Sequence, residues 1–393
     1  MKDIAKFIVM LFIRQLLKVF YVFPVKENCI LFSSFEGRQY SCNPKYLFKK
    51  IIEEFGQKYS YVWVLNNKKS ADYEYLLQDG LEQKLKTVRF FSLSHFYYYL
   101  TAKYIISNLN IEPVIPKRKK QIFLATWHAS GAYKNMDFSQ TLKASLYKVS
   151  ARDYRAKKID KFVSGCQAFT RVYTKTWNVN ENKFLNCGLP RNDLFFEAEE
   201  SLNRKKSEIR ARLNLSEEYG YVLFAPTYRG LNNHNHKSFR FDLDVKALLE
   251  TCGKRFNKKF ILLLKNHVDT DSSNNLKDEL VRDVTWYSDM QELLLVSDIL
   301  ITDYSSSIWD FALLEKPAFL YTPDLQDYLN ERGFYTPIEQ WPFPFAASNE
   351  DLRELIESFN EEKNKKKIAG HFSLLGSFEK GSACKKIIKE LGL

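Results

Sequence analysis

Short apolar runs recur along the 393-residue chain, each followed at once by a polar or glycine-containing cluster and then by a helical pattern. Residues 61–65 (YVWVL), 104–107 (YIIS), 221–224 (YVLF), 260–264 (FILLL), 298–302 (DILIT) and 318–321 (AFLY) are the clearest. A run this short and this continuous reads as a strand covered on both faces, because a half-exposed strand would alternate apolar and polar residues. Strands of that kind, separated by helical stretches, build parallel βαβ units.

The first series comprises strands at 28–34, 61–65, 87–91, 104–107 and 121–126, with helices at 44–55 and 95–101. Residues 203–214 (NRKKSEIRARLN) are charged, lack apolar periodicity at their start, and read as a crossing between halves. The alternation then restarts, with strands at 221–224, 260–264, 298–302 and 318–321. Helices are expected at 245–251, 290–296, 305–314, 349–364 and 381–391. The predicted fold class is α/β: two doubly wound, Rossmann-like domains facing a cleft, the GT-B-like arrangement. Ligands of open α/β sheets bind beyond the carboxyl ends of the strands, so the cleft is the expected site. The expected boundaries are an N-terminal helix over 1–24, one domain over 25–200 and a second over 201–393 that includes the terminal helices.

Residues 4–20 (IAKFIVMLFIRQLLKVF) place Ile4, Phe7, Ile8, Leu11, Leu16, Val19 and Phe20 at helical spacing, with Lys6, Arg14 and Lys18 interspersed. The basic residues break the run well short of the ~20 apolar residues of a spanning helix. No small-residue cleavage site follows. Two readings stay open: a helix lying in a membrane interface, or a terminal helix packed on the protein's own core. The formal charge of +12 favours an anionic partner, whether lipid headgroups, phosphate-rich substrates or nucleic acid, and charge alone does not choose among them. Six scattered cysteines without a CxxC pair fit reduced thiols rather than a zinc site or disulfide framework.

Five polar segments stand out. Residues 126–132 (TWHASGA) follow a strand, and His128 is placed to act as a general base. Its neighbours Trp127 and Ser130 are further cleft candidates. Residues 225–230 (APTYRG) put Arg229 beside a glycine at a strand end, which suits a phosphate or a plain turn. Residues 265–267 (KNH) add Lys265 and His267, the latter either a phosphoryl ligand and proton donor or a loop cap. Residues 301–307 (ITDYSSS) carry Thr302, Asp303, Ser305, Ser306 and Ser307 into a helix start. One serine suffices for a cap; three suit a diphosphate held by N–H groups, hydroxyls and the helix dipole. Asp310, one turn on, is a candidate for a ribose hydroxyl. Residues 188–193 (GLPRND) read as a turn or hinge. No Walker A, GxGxxG or HExxH sequence occurs.

In this order, these segments, with RGFY at 332–335 and ILFSSFEGRQYSCNPKYL at 30–47, resemble the CDP-glycerol:poly(glycerophosphate) glycerophosphotransferase family. The stretch 297–317 (SDILITDYSSSIWDFALLEKP) is the most specific part. Two departures stand out: Ala129 and Ser130 where the family often has glycine and threonine, and Val268 where it often has proline. Neither removes a group the chemistry needs.

The resemblance implies a transferase at the cytoplasmic face of the bacterial membrane, peripherally attached. An acceptor hydroxyl attacks the β-phosphate of CDP-glycerol or CDP-ribitol, CMP leaves, and a phosphodiester forms. It implies an acceptor-side first domain and a donor-binding second domain. His128 resembles the family's base, His267 and Arg229 its phosphate ligands, and Ser305 and Ser306 its diphosphate turn. The implied acceptor is a lipid-linked saccharide or polyol-phosphate chain, and the implied surface an anionic membrane. No cofactor is required by this reading, no carboxylate cluster implies a divalent metal, and nucleic acid is not an expected partner. Two rivals fit the pattern less well: a GT-B glycosyltransferase using a nucleotide sugar, and a non-catalytic basic protein that binds membrane or nucleic acid.

Overall fold

The computed structural model describes residues 2–81, 83–131, 133–135, 145–227, 242–266, 279–331 and 333–393. They form two compact units. The first comprises residues 1–130, 136–196 and 377–393, and the second residues 131–135 and 197–376.

The first unit holds β1 (Lys26–Ser33), β2 (Ser60–Val64), β3 (Lys84–Val88), β4 (Ala102–Ser107), β5 (Ile122–Ala125), β6 (Lys161–Ser164) and β7 (Phe184–Asn186). They pair in the order β3-β2-β1-β4-β5-β6-β7, and every pairing is parallel. The second unit holds β8 (Gly220–Ala225), β9 (Phe260–Leu264), β10 (Val281–Asp283), β11 (Ile299–Thr302), β12 (Ala318–Tyr321) and β13 (Phe345–Ala346). Their order is β10-β9-β8-β11-β12-β13, again all parallel. Each unit is therefore a doubly wound α/β sheet, as the apolar runs require. In both, the chain starts at a central strand, grows to one edge, and then returns to the other side of its first strand. That reversal places a switch point between β1 and β4, and another between β8 and β11.

Each sheet buries its own core. In the first, Phe32, Trp63, Phe48 and Tyr61 pack edge-on and stacked beneath the helix Cys42–Phe55. In the second, Val222, Leu262, Ile301 and Phe319 meet Leu248, Leu352 and Ile356 from the helices. Residues 131–135 belong with this second core. The Tyr133 ring lies flat on Trp309 at 3.5 Å, its hydroxyl is 3.0 Å from His371 Nε2, and its carbonyl accepts from Tyr335 N.

The structure corrects several expectations. Residues 203–214 form most of the helix Glu199–Leu213, which buries only Ile209 and follows the passage between units at 196–197. The stretch 349–364 is two helices, Asn349–Glu357 and Glu361–Leu375, because the Asn360 side chain caps the second at Lys363 N. The first-sheet edge strand runs from Lys84 to Val88 rather than over 87–91. Strands β6 and β7 were not marked at all by the apolar pattern. The terminal helix Ala383–Leu391 does not belong with 201–376: it joins the first core through Ala383, Cys384, Ile387, Ile388 and Leu391, and Asp193 accepts from Ala383 N and Cys384 N at its start.

The helix Lys2–Leu16 packs partly on the protein's own core and leaves a row of apolar side chains exposed. Met10 and Leu17 are buried, Arg14 donates to the Pro113 carbonyl and lies 3.9 Å over the Tyr154 ring, and Arg118 reaches the carbonyls of Phe20 and Phe23. Ile4, Ile8, Val9, Phe12 and Leu16 nevertheless stay exposed, with Val19 and Val22 just beyond. Among the described residues no helix is long and apolar enough to cross a membrane.

All six cysteines are free and buried. Burial also pushes the imidazoles of His95 and His371 down to about 4, from an ordinary 6.5. Between those values the unfolded chain binds more protons than the folded one, so stability is complete above pH 6.5 and is lost as pH falls toward 4, by about 3 kcal/mol per histidine. Denaturation midpoints measured from pH 7 down to 4.5 should show this loss, and His95→Gln should flatten the slope by about one histidine's share.

Candidate active site

At the first switch point Ser33 pairs with Ser107 across β1 and β4. Beyond this pair the strands diverge, and their main chain needs other partners. Asn108, fully buried, supplies them: its Oδ1 accepts from Phe35 N at 2.8 Å, its Nδ2 donates to Ser34 Oγ at 3.2 Å, and its own N–H donates to Ser33 O. Its carbonyl lies 3.2 Å from Nδ1 of His128. A carbonyl only accepts, so this bond puts the proton on Nδ1 and the basic lone pair on Nε2, the tautomer of a general base. The ring of Phe35 lies 5.6 Å from the imidazole.

A second asparagine holds the loop from behind. Asn43, also fully buried, donates through Nδ2 to the carbonyls of Thr126 and Trp127 at 3.0 and 2.9 Å, and accepts from Arg191 N at 3.1 Å. Arg191 is itself buried and donates to Ser130 Oγ at 3.1 Å. Residues 188–193 therefore clamp the histidine loop rather than forming a surface turn or hinge; Asn192 Nδ2 and Leu189 N both donate to Glu379. Trp127 is buried against Tyr173 and Trp177 and serves as packing behind His128, while Ser130 is a framework contact. Phe35, Glu36 and Trp127 all adopt left-handed backbone, with φ of 46°, 57° and 52°. For residues with a Cβ this costs about 1–3 kcal/mol each, and such strain concentrates at functional sites.

The second switch point is built on Asp303. This fully buried carboxylate accepts from Thr227 N and Thr227 Oγ1 at 2.9–3.0 Å, and from Tyr304 N. It thereby holds the start of the 225–230 segment against the end of β11. Thr302 donates to Ala225 O across the sheet at 2.6 Å and is wholly buried; it closes the sheet and does not line a ligand surface. The Ser305 hydroxyl accepts from Ser307 N and Ser307 Oγ, and Ser306 at the helix start makes no side-chain cap. Ser305 and Ser306 are partly exposed, Ser307 is buried. These are the hydroxyls and N–H groups expected of an anion-binding turn, although the helix that follows, Ser307–Ala312, is short.

Lys265 is nearly buried, and its ammonium donates at 2.7 Å to the carbonyls of Thr285 and Tyr287. It holds that loop rather than standing open to a phosphate. Asp310 is buried and accepts from Gln291 Nε2 through Oδ2 at 2.8 Å. Arg229 and His267 lie outside the described residues, as do Ala132 and Arg332 of the flanking motifs. Among the described residues, no three His, Cys, Asp or Glu side chains gather as a metal-binding group. Asn43 and Asn108 are the supporting residues that motif reading does not single out, and Arg191, within the 188–193 segment, reads there only as part of a turn. Asn108 carries a weak signal, since it is the first residue beyond a strand.

One doubly wound sheet carries a histidine with a carbonyl-set tautomer at its switch point, and the other carries a hydroxyl-rich turn at its own. The chain belongs to the CDP-Glycerol:Poly(glycerophosphate) glycerophosphotransferase family, which matches residues 15–392, and it is an enzyme of that phosphotransferase class. It is 30% identical over 385 residues to the teichoic acid poly(glycerol phosphate) polymerase of Bacillus spizizenii, covering 95% of this chain and 94% of that one. It is 29% identical to the polymerase of the same description from Bacillus subtilis over 86% of this chain, but spans only 44% of that longer relative. The solved structure of the wall teichoic acid polymerase TagF superposes with a TM-score of 0.80 at 24% identity, over 99% of this chain and 95% of that chain. That likeness establishes the GT-B-like fold class.

Removing Asn43 leaves two buried carbonyls and one buried N–H without their side-chain partner, each worth about 1–3 kcal/mol. Asn43→Ala should lower stability by about 2–4 kcal/mol in denaturant titrations. It should also lower catalytic turnover beyond what the folded fraction explains, because the His128 loop loses its support.

Proposed function

We propose that this chain transfers glycerol phosphate or ribitol phosphate from the corresponding CDP-polyol to a hydroxyl of a lipid-linked saccharide or a growing polyol-phosphate chain, and releases CMP. The acceptor hydroxyl gives its proton to Nε2 of His128 as its oxygen attacks the β-phosphorus. The new O–P bond forms as the bond from that phosphorus to the bridging oxygen breaks, and the electron pair leaves with CMP. The observation that carries this reading is the 3.2 Å contact of His128 Nδ1 with the Asn108 carbonyl, since it orients the ring and sets the tautomer that a base needs. Ser305 and Ser306 are proposed to meet the donor's diphosphate, with Arg229 and His267 as further phosphate ligands. Charge stabilisation of this kind is where phosphoryl-transfer enzymes gain most. Family membership supports a CDP-activated donor; similar relatives include both glycerol-phosphate polymerases and ribitol-phosphate enzymes, so the donor polyol is either glycerol or ribitol.

The helix Lys2–Leu16 is proposed to seat the enzyme on the membrane's cytoplasmic face. Supporting this are the exposed side chains of Ile4, Ile8, Val9, Phe12 and Leu16 beside the exposed Lys6 and Lys18, a combination suited to an anionic interface.

Two measurements test these statements. Purified protein given CDP-glycerol, CDP-ribitol or a UDP-sugar, with a lipid-linked acceptor in detergent, should release CMP only from a CDP-polyol. His128→Ala should lower that rate by ~10²–10⁴; a loss below tenfold removes His128 from the role of base. The double variant Ile8→Glu/Phe12→Glu, altered only at exposed positions, should float with phosphatidylglycerol vesicles far less than the wild type while keeping its denaturation midpoint.

A further inference from the structure

The first unit contains a small, solvent-open cavity at the β1–β4 switch point. Glu36, Phe90, His95, Tyr99, Asn110 and Glu112 supply its functional groups and its aromatic wall. Three of these carry polar groups that the described residues do not satisfy. The Tyr99 hydroxyl and Asn110 Oδ1 are buried without a hydrogen-bond partner among the described residues, and Tyr99 is 5% exposed. His95, 1% exposed, accepts from Phe91 N at Nδ1, so its proton resides on Nε2, for which no acceptor stands among the described residues. Burial keeps this imidazole neutral and raises the Glu112 carboxyl above its ordinary range.

An unsatisfied buried polar group costs about 1–3 kcal/mol, and two unsatisfied donors facing an unsatisfied acceptor in one cavity point to a ligand that satisfies both kinds. A phosphate does not qualify: it only accepts, and it would meet two carboxylates with no lysine or arginine among the described lining residues. Arg38, 3.9 Å from Glu36, stands outside that lining. A metal ion does not qualify either, since among the described residues no three His, Cys, Asp or Glu side chains gather as a metal-binding group. A neutral hydroxyl donates and accepts at once, and the Phe90 ring offers a face for C–H groups. The cavity wall is linked to His128 through neighbouring residues of the chain. Glu36 follows Phe35, whose ring contacts His128, and the 107–112 segment begins at the residues that hold the imidazole.

We propose that this cavity binds the uncharged, hydroxyl-bearing terminal unit of the acceptor and leads its reactive hydroxyl to His128, with Tyr99, His95, Asn110 and Glu112 as the specificity-determining contacts. This deepens the transferase reading and rests on it. The donor's own polyol is the other source of the same chemistry, and it is disfavoured because it arrives bonded to a diphosphate.

The test is steady-state kinetics of Tyr99→Phe and Glu112→Gln with CDP-glycerol and a lipid-linked acceptor. Tyr99→Phe removes an unpartnered hydroxyl, so its denaturation midpoint should equal or exceed that of the wild type. Its KM for the acceptor should rise about 3- to 10-fold, the weight of one hydrogen bond, with the donor KM unchanged. An unchanged acceptor KM, or a rise in the donor KM alone, overturns the proposal. If the wild type turns over no CDP-polyol, the transferase reading has failed, and the cavity is then judged by binding. With ¹⁵N-histidine-labelled protein and His95→Gln to assign the signal, glycerol and methyl glucoside should shift the His95 resonance saturably, and less so in Tyr99→Phe. No shift, or a shift with inorganic phosphate alone, overturns it.

Discussion

Both sheets begin in their middle, and most of what is particular to this protein follows from that. A chain that lays down β1, moves out to β3 and returns on the far side as β4 must send its crossovers to opposite faces. Beyond Ser33 and Ser107 the two strands then part, and their terminal main-chain groups lose their sheet partners. Buried N–H and C=O groups cannot stay unpaired, so each switch point must recruit a polar side chain. Asn108 does this in the first unit and Asp303 in the second. The local geometry at each switch point is built on that obligation: the Asn108 carbonyl orients His128, and Asp303 holds Thr227.

The histidine loop shows how far the structure goes to hold one side chain. Trp127 is forced into left-handed backbone, and Phe35 and Glu36 opposite it are too. Strain of this size persists only where neighbouring contacts over-determine the conformation. Here they are the two carbonyl contacts of Asn43, the buried Arg191 on Ser130, and the Trp127 ring packed against Tyr173 and Trp177. The helix Cys42–Phe55 thus serves twice, closing the core with Leu47, Phe48 and Ile51 and presenting Asn43 at its first turn. The C-terminal residues complete the same frame, since Glu379 binds the 188–193 segment and Asp193 binds the start of the last helix.

Charge is distributed against simple expectation. A chain with a net charge of +12 lines the cavity at its first switch point with two carboxylates, while the buried Lys265 and Arg191 are engaged with protein groups. A basic excess therefore says little about any one pocket. Its local meaning depends on which cations are left to solvent, as along the exposed face near Lys6 and Lys18.

The sequence alone determined the parallel α/β class, most strand positions, and the candidate histidine and serine turn, because a strand buried on both faces must be continuously apolar and a polar cluster at its end is then conspicuous. It determined less about the segment between 127 and 200, where β6 and β7 are short and their apolar character merges with that of the helix Gln167–Trp177. Tertiary structure decided which polar residues are framework and which face a ligand. Thr302, Lys265 and Asp310 look like ligands by position, yet each is engaged with protein partners, and Asn43 and Asn108 look like ordinary turn residues yet hold the site together. It also decided that the last helix completes the first core rather than the second. A sequence pattern records which residues want burial and which want a partner; only the folded chain determines which partner, hundreds of residues away, is within 3 Å.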